Sequence, residues 1–290
     1  MPGFFMVKMA SGKKISLLIT KKQKISQFLY RKEGRLIMYN YFDLVKPTYV
    51  ENWPAQLYNY SVATIHFPIS GEQMQTLINC NYMTVEDGHN PTEKEKTILK
   101  EIEAILDSYI IQFPKGSFVR LGSRSPKDSY DAHKKLFRYY NGHEAIAALC
   151  DSERIHDDLY LAKANNYTPS LVVREWININ PWQEFRAFYK NRKLIGLSQY
   201  NYLQQEVFPE ILELANTIEW AIRVKSEIVA TLLPLDNVVV DYIYKVRNYG
   251  NERVSEVILL EVNPFMVYTD PCLFNWSRDN FQTFEFRYNN

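Results

Sequence analysis

Two pairs of strand-length segments at hairpin spacing constrain the fold of this chain more than any other feature. Segments 184–189 and 193–199 alternate apolar and polar residues around a short Asn191-Arg192 turn. Segments 237–245 and 254–262 flank the turn-forming stretch 248–252. Such short connections require antiparallel pairing, because a parallel pair needs a crossover of about a dozen residues or more. Upstream the pattern is helical. Thr92 and Glu95 form a capping box, and Ile98, Leu99, Ile102, Ile105, Leu106, Tyr109 and Ile110 then recur at helical spacing until Pro114 and Gly116 end the run. Further helices are predicted near 129–137, 143–164 and 209–232, with Pro209 tolerated in a first turn, and strands at 62–69, 118–121 and 171–176. Residues 81–91 read as a loop. Helices followed by antiparallel hairpins predict an α+β fold.

The chain has only 10 glycines, none five residues apart and none arranged as GxGxxG or GxSxG, which excludes P-loop, Rossmann and α/β-hydrolase readings. The 5 histidines show no zinc-ligand spacing, and the 3 widely spaced cysteines fit a reducing compartment. No apolar run nears the roughly 18 residues of a membrane helix. Residues 1–40 hold nine basic side chains against Glu33, a net of +8, whereas the rest of the chain nets −7. Residues 1–38 are therefore read as a basic extension, solvated or open to an anionic partner, and 39–290 as the body, with lobes of about 39–175 and 176–290.

Three residues suggest metal chemistry. On a strand Glu261 and Asn263 share a face, and hairpin pairing brings Asp241 to them; two carboxylates and an amide oxygen suit Mg²⁺. The alternative is two acids at strand ends facing water. Arg120, Arg174 and Arg186 alternate with apolar neighbours, as phosphate-binding arginines in one cleft would, yet each is equally an ordinary partner for Glu175 or Glu184. The loop 123–128 is either a phosphate cover or a surface turn, and Cys150 with His156 reads as structural.

Six blocks in order carry a resemblance: Val119-Arg-Leu-Gly-Ser-Arg-Ser-Pro-Lys-Asp-Ser129, Leu171-Val-Val-Arg-Glu-Trp176, Glu184-Phe-Arg-Ala-Phe188, Leu194-Ile-Gly-Leu-Ser-Gln199, Val239-Val-Asp241 and Leu260-Glu-Val-Asn-Pro-Phe265. Over about residues 40–280 the chain resembles the cell division cycle protein 123 (D123) family. The resemblance implies an ATP-grasp fold, with two α+β lobes holding ATP and Mg²⁺ between antiparallel sheets. It further implies assistance to assembly of eukaryotic translation initiation factor 2 through its gamma subunit. Asp241, Glu261 and Asn263 match the family's metal triad, with Glu261 where the family often has Asp. Glu175, Trp176 and Ile177 match an adenine-contacting hinge. Arg186 matches a residue near the phosphates, the one position the resemblance would make catalytic. Arg120 stands where relatives usually have lysine, and Arg174, Glu184 and Gln199 complete the expected nucleotide contacts. Tyr200 stands where relatives commonly have arginine.

The function expected on this basis is an ATP- and Mg²⁺-binding protein acting on a protein partner. The alternative is an ATP-dependent carboxylate–amine ligase. A nucleic-acid role is not expected, since a basic arm is not a recognised binding module. The setting is cytoplasmic, or a host cell's cytoplasm if the chain is a bacterial or viral effector.

Overall fold

The computed structural model describes residues 4–8, 14–20, 23–32, 35–203, 207–249 and 252–290. The basic segment holds strands β1 (Phe4–Lys8), β2 (Lys14–Thr20), β3 (Gln23–Lys32) and β4 (Arg35–Asn40), an antiparallel sheet in chain order followed by α1 (Tyr41–Val45). Its residues 1–3, 9–13, 21–22 and 33–34 lie outside the described residues. The chain divides into two compact units, one of 49–51 and 63–177, the other of 1–48, 52–62 and 178–290. Residues 39–48 and 52–62, read with the first lobe, fall in the unit that holds 178–290.

The 63–177 unit is a three-stranded antiparallel sheet with helices on one face. It runs β5 (Thr64–Pro68), α2 (Gly71–Asn79), α3 (Tyr82–Glu86), α4 (Glu93–Ile110), β6 (Ser117–Leu121), α5 (Tyr130–Lys134), α6 (Gly142–Cys150), α7 (Glu153–Ala164) and β7 (Ser170–Glu175). β7 is central, in the order β5-β7-β6. α4 buries Ile98, Ile102, Leu106 and Ile110 at four-residue spacing, one stripe per turn. They join Val119, Leu121, Leu171 and Val173 from the sheet and Ala145, Ile146 and Leu149 from α6 in one core.

Two expectations are corrected here. The stretch read as a loop contains α3, capped by Asn81, whose side chain accepts from Met83 N–H at 3.1 Å and donates to the Ser152 carbonyl at 3.0 Å. Asp87 and Gly88 (φ 100°) end that helix. The stretch 143–164 is two helices, because Ser152 caps a new one, accepting from Ile155 N–H at 3.2 Å. Cys150 and His156 therefore sit on separate helices.

The capping box of α4 is present. The Thr92 hydroxyl accepts from Glu95 N–H at 3.2 Å, and Glu95 Oε2 accepts from Thr92 N–H at 2.7 Å. Hydrogen bonds from the Thr92 backbone and the Asn79 side chain bring the Glu95 carboxyl from 4.5 down to about 2. A depressed carboxyl stabilises the fold above its unfolded value, and that contribution is lost as pH falls through the folded one. Glu95→Gln should therefore flatten the decline of stability between pH 4.5 and about 2. Urea midpoints across that window check this, and parallel curves for the two proteins would refute it.

The C-terminal unit continues with β8 (Glu184–Lys190), β9 (Lys193–Gln199), α8 (Pro209–Leu232), β10 (Val238–Tyr249), β11 (Glu252–Pro264) and β12 (Glu285–Arg287). Its sheet has the order β11-β10-β8-β9-β12, antiparallel except for β12 on β9. One face packs on α8, where the Tyr189 hydroxyl reaches Ser226 Oγ at 2.6 Å and Tyr242 at 2.7 Å. On the other, Phe188 and Val239 lie under Phe274 and Phe281, with Phe265 and Trp276 alongside. A polar row continues that second face.

Candidate functional site

Cross-strand partners project from the same face of a sheet. Ser198 pairs with Arg186, Arg186 with Asp241, and Asp241 with Glu261, so four strands contribute one row. Leu260 interrupts the β10–β11 register: Asp241 faces Glu261 but Tyr242 faces Leu259. Before this bulge the two paired numbers total 501; after it they total 502. An uninterrupted register would pair Val240 with Glu261, on the face packed against α8. The bulge instead turns Glu261 and Asn263 onto Asp241's face.

Arg186 and Asp241 are 5% and 1% exposed. The guanidinium grips the carboxylate with both forks, Nε to Oδ1 and Nη2 to Oδ2, each at 2.8 Å. Nη1 donates to the Asp270 carbonyl at 2.7 Å, and Asn263 Nδ2 donates to Asp241 Oδ2 at 3.1 Å. Burial opposes the charge on Arg186, but Asp241 outweighs it and raises the guanidinium well above its ordinary value. Tyr200 stacks on Arg186, its ring centroid 4.8 Å from Cζ. Tyr200 thus supports the arginine already in place.

Asp270 was not singled out from the sequence. Its carboxylate accepts from Tyr202 Oη at 2.9 Å and from Cys272 N–H at 2.8 Å. Burial and Asp270 push the Tyr202 hydroxyl up to about 12. Burial likewise takes the Cys272 thiol up to about 12, against the pull of Arg186. Glu184 holds the strand end through its carbonyl, which accepts from Tyr200 N–H at 3.0 Å. Gln199 is not in the row. It pairs with Phe185 on the opposite face, fully buried, with its amide engaged by the Asn201 carbonyl and Asn289 N–H.

In the other unit Arg120 and Arg174 share the sheet face that carries Thr64, His66 and Val172, and both are 3% exposed. Arg120 Nε donates to the Leu121 carbonyl at 2.9 Å. Beyond β7, Glu175 N–H donates to the Ala63 carbonyl and Trp176 N–H to the Gly116 carbonyl, each at 3.0 Å. Among the described residues the Ile177 N–H makes no hydrogen bond. The Trp176 indole donates to the Leu136 carbonyl at 3.2 Å, and the Arg138 guanidinium lies between the rings of Trp176 (4.5 Å) and Tyr140 (5.0 Å). Sequence reasoning missed Arg138, which carries no periodic signal. The loop 123–128 is tied to α7: Arg124 pairs with Asp158 at 3.0 Å, and Asp128 accepts from Ser152 Oγ and Arg154 N–H.

Among the described residues no group of three or more His, Cys, Asp or Glu side chains is placed to hold a metal. The set in the row is smaller and mixed, two carboxylates on facing strands and an amide bonded to one of them. Its oxygen chemistry fits an ion that keeps waters and binds phosphates.

The D123 family profile matches residues 69–285, and the chain belongs to that family. It is similar to a translation initiation factor eIF2 assembly protein of Vanderwaltozyma polyspora, with 32% identity over 143 residues, 48% of this chain and 34% of the relative. It is also similar to cell division cycle protein 123 of Eremothecium gossypii, with 27% identity over 229 residues, 71% of this chain and 60% of the relative. The matches thus span from about a third to three fifths of these relatives' length. Its fold is that of Cdc123 from Schizosaccharomyces pombe, with a TM-score of 0.67 at 18% identity, covering 84% of this chain and 96% of that one. No helix among the described residues is long and apolar enough to cross a membrane.

Proposed function

We propose that this chain binds ATP with Mg²⁺ and acts on a protein partner in the cytoplasm, eIF2 through its gamma subunit, as the names of its relatives and the family resemblance suggest. The observation that carries the nucleotide reading is the row Arg186–Asp241–Glu261 with Asn263 beside it. A buried arginine next to three hard oxygen donors is the arrangement that triphosphate and a divalent ion require together.

Asp241, Glu261 and Asn263 would hold the ion, which when bound neutralises phosphate oxygens. Arg186 offers the phosphates a planar donor already oriented by Asp241, the Asp270 carbonyl and the Tyr200 ring. The adenine edge is assigned to the chain beyond β7. With the Glu175 and Trp176 N–H groups engaged, the donor left for the base is that of Ile177. Arg120 and Arg174 are assigned to phosphate oxygens as further cations.

Calorimetry tests the reading. ATP should bind the full chain with Mg²⁺ present and at least tenfold more weakly in EDTA. Ile177→Pro removes the donor and should weaken Mg²⁺–ATP binding about tenfold, roughly one lost hydrogen bond. Trp176→Ala should cost less, because the indole contributes packing. Affinity indifferent to Mg²⁺ would overturn the metal assignment, and undiminished affinity in Ile177→Pro would overturn the base assignment.

A further inference from the structure

We propose that Arg138 anchors a docking site for an acidic segment of a protein partner, a carboxylate with an aliphatic side chain beside it. Every residue of the site belongs to the 63–177 unit. The Arg138 guanidinium is held in place but not neutralised. Its Nε donates to the Lys115 carbonyl at 2.6 Å, and its stem lies on Gly116, where an added Cβ would come within 2.8 Å of Arg138 Cγ. Gly116 has φ 95°, so glycine answers both the backbone and the close approach. The rings of Trp176 and Tyr140 lie 4.5 and 5.0 Å from Cζ. Among the described residues those two rings make no contact with each other, so they stand on different sides of the cation. Among the same residues the two Nη groups make no hydrogen bond or ion pair, and neither is buried. A cation fixed by its stem, its faces and its Nε, with the outer edge open, takes an oxyanion at little cost in ordering.

The chain's own carboxylates do not fill this edge. Glu144, the acid nearest in sequence, is committed elsewhere, accepting from Lys135 Nζ at 2.6 Å and from Tyr140 N–H at 2.9 Å. With a ring over each face, the acceptor must enter in the guanidinium plane. A planar carboxylate fits that slot with two parallel hydrogen bonds, whereas a tetrahedral phosphate turns oxygens toward the rings. The chain beyond residue 40 nets −7, which further disfavours a polyanion such as RNA. The aliphatic contact comes from Leu136, which is 74% exposed. Leu136 and Phe137 both adopt left-handed backbone, φ 51° and 56°, a region that side chains other than glycine seldom enter. Phe137 packs on the core, while the Leu136 carbonyl accepts from the Trp176 indole at 3.2 Å. The strained turn thus displays Leu136 beside a ring that covers Arg138, and strain of this kind points to use of the group it displays. Arginine, tryptophan and tyrosine are also the residue types that dominate binding at protein interfaces.

Fluorescence anisotropy of the full chain is the test. The probe is an end-blocked peptide of alternating leucine and glutamate carrying a neutral dye, set beside a glutamine counterpart, a phosphoserine counterpart and oligouridylate. The glutamate peptide should bind at least about tenfold more tightly than the glutamine one, as charge-assisted hydrogen bonds require. Arg138→Gln should erase that difference, and Arg138→Lys should stay about threefold weaker than wild type, because an ammonium lacks the planar fork. Leu136→Gly should weaken the glutamate peptide about fivefold while the melting temperature holds or rises, since glycine relieves the left-handed turn. The site rests on the protein-partner half of the function proposed above and not on its nucleotide half. A chain that discriminates the peptides but fails to bind Mg²⁺–ATP therefore still supports it. No binding of the glutamate peptide at about 1 mM, equal affinity for the glutamate and glutamine peptides, or tighter binding of the phosphoserine peptide or oligouridylate overturns the proposal. Loss of ATP affinity in Arg138→Gln would put the arginine in the nucleotide site and overturn it as well.

Discussion

Asp241→Asn is expected to cost about 3–5 kcal/mol of folding stability and to abolish Mg²⁺-dependent ATP binding. A carboxylate at a strand end facing water, the alternative weighed from the sequence, could be neutralised at little cost to the fold. The bidentate pair changes that expectation, because a neutral side chain leaves the Arg186 charge 5% exposed with no counter-charge. Glu261→Gln, at a half-buried position, should remove the same binding with stability kept within about 1 kcal/mol. Arg186→Met with Asp241→Leu should recover most of the lost stability and none of the binding, since apolar groups of similar volume replace a buried ion pair at little cost. Urea unfolding and calorimetry on the four proteins decide the matter. Asp241→Asn as stable as wild type would refute the buried-charge argument, and Glu261→Gln with intact Mg²⁺-dependent affinity would refute the site.

Gly142→Ala should be nearly as damaging, costing about 3 kcal/mol by overpacking. Gly142 opens α6 directly against α4, where its N–H donates to Asp107 Oδ1 at 2.6 Å. A Cβ there would overlap the Glu103 backbone carbonyl, which cannot move aside as the tip of a side chain can. The two helices must then part, opening the core formed by Ile102, Leu106, Ala145 and Ile146. Gly71 opens α2 with nothing within 4 Å of an added Cβ, so Gly71→Ala should be neutral or slightly stabilising. Thermal melts of the pair give the comparison, and equal melting temperatures would show that α4 and α6 yield more easily than their backbone contact implies.

Much of this fold is written locally. Pro209 and the apolar spacing after it bound α8 as observed, and Thr92 with Glu95 marks the start of α4. The hairpin β8–β9 follows from its turn and alternation. The candidate site was legible in its residue types, and alternation alone puts Glu261 and Asn263 on one face, but only the bulge at Leu260 makes it the face of Asp241. Its electrostatics were not. Arg186 and Asp241 are 55 residues apart, and only the β8–β10 register decides that they meet. Gln199 alternates as correctly as its neighbours, yet the register turns it to the far face. α3 escaped because one helical turn is too short to show a period, so Asp87 and Gly88 read as a loop rather than as a helix end.

The bulge at Leu260 gives the chain a kind of phase. Everything toward the hairpin tip is counted in one frame, and everything from Glu261 onward in another, offset by a single residue. Residues gained or lost at the tip leave that offset untouched. One residue gained between Leu259 and Glu261 would exchange every odd and even position beyond it, sending Glu261 and Asn263 toward α8, whereas loss of Leu260 itself would close the bulge and leave Glu261 opposite Asp241. Length at the hairpin tip is therefore independent of the site, and an insertion beside Leu260 is not.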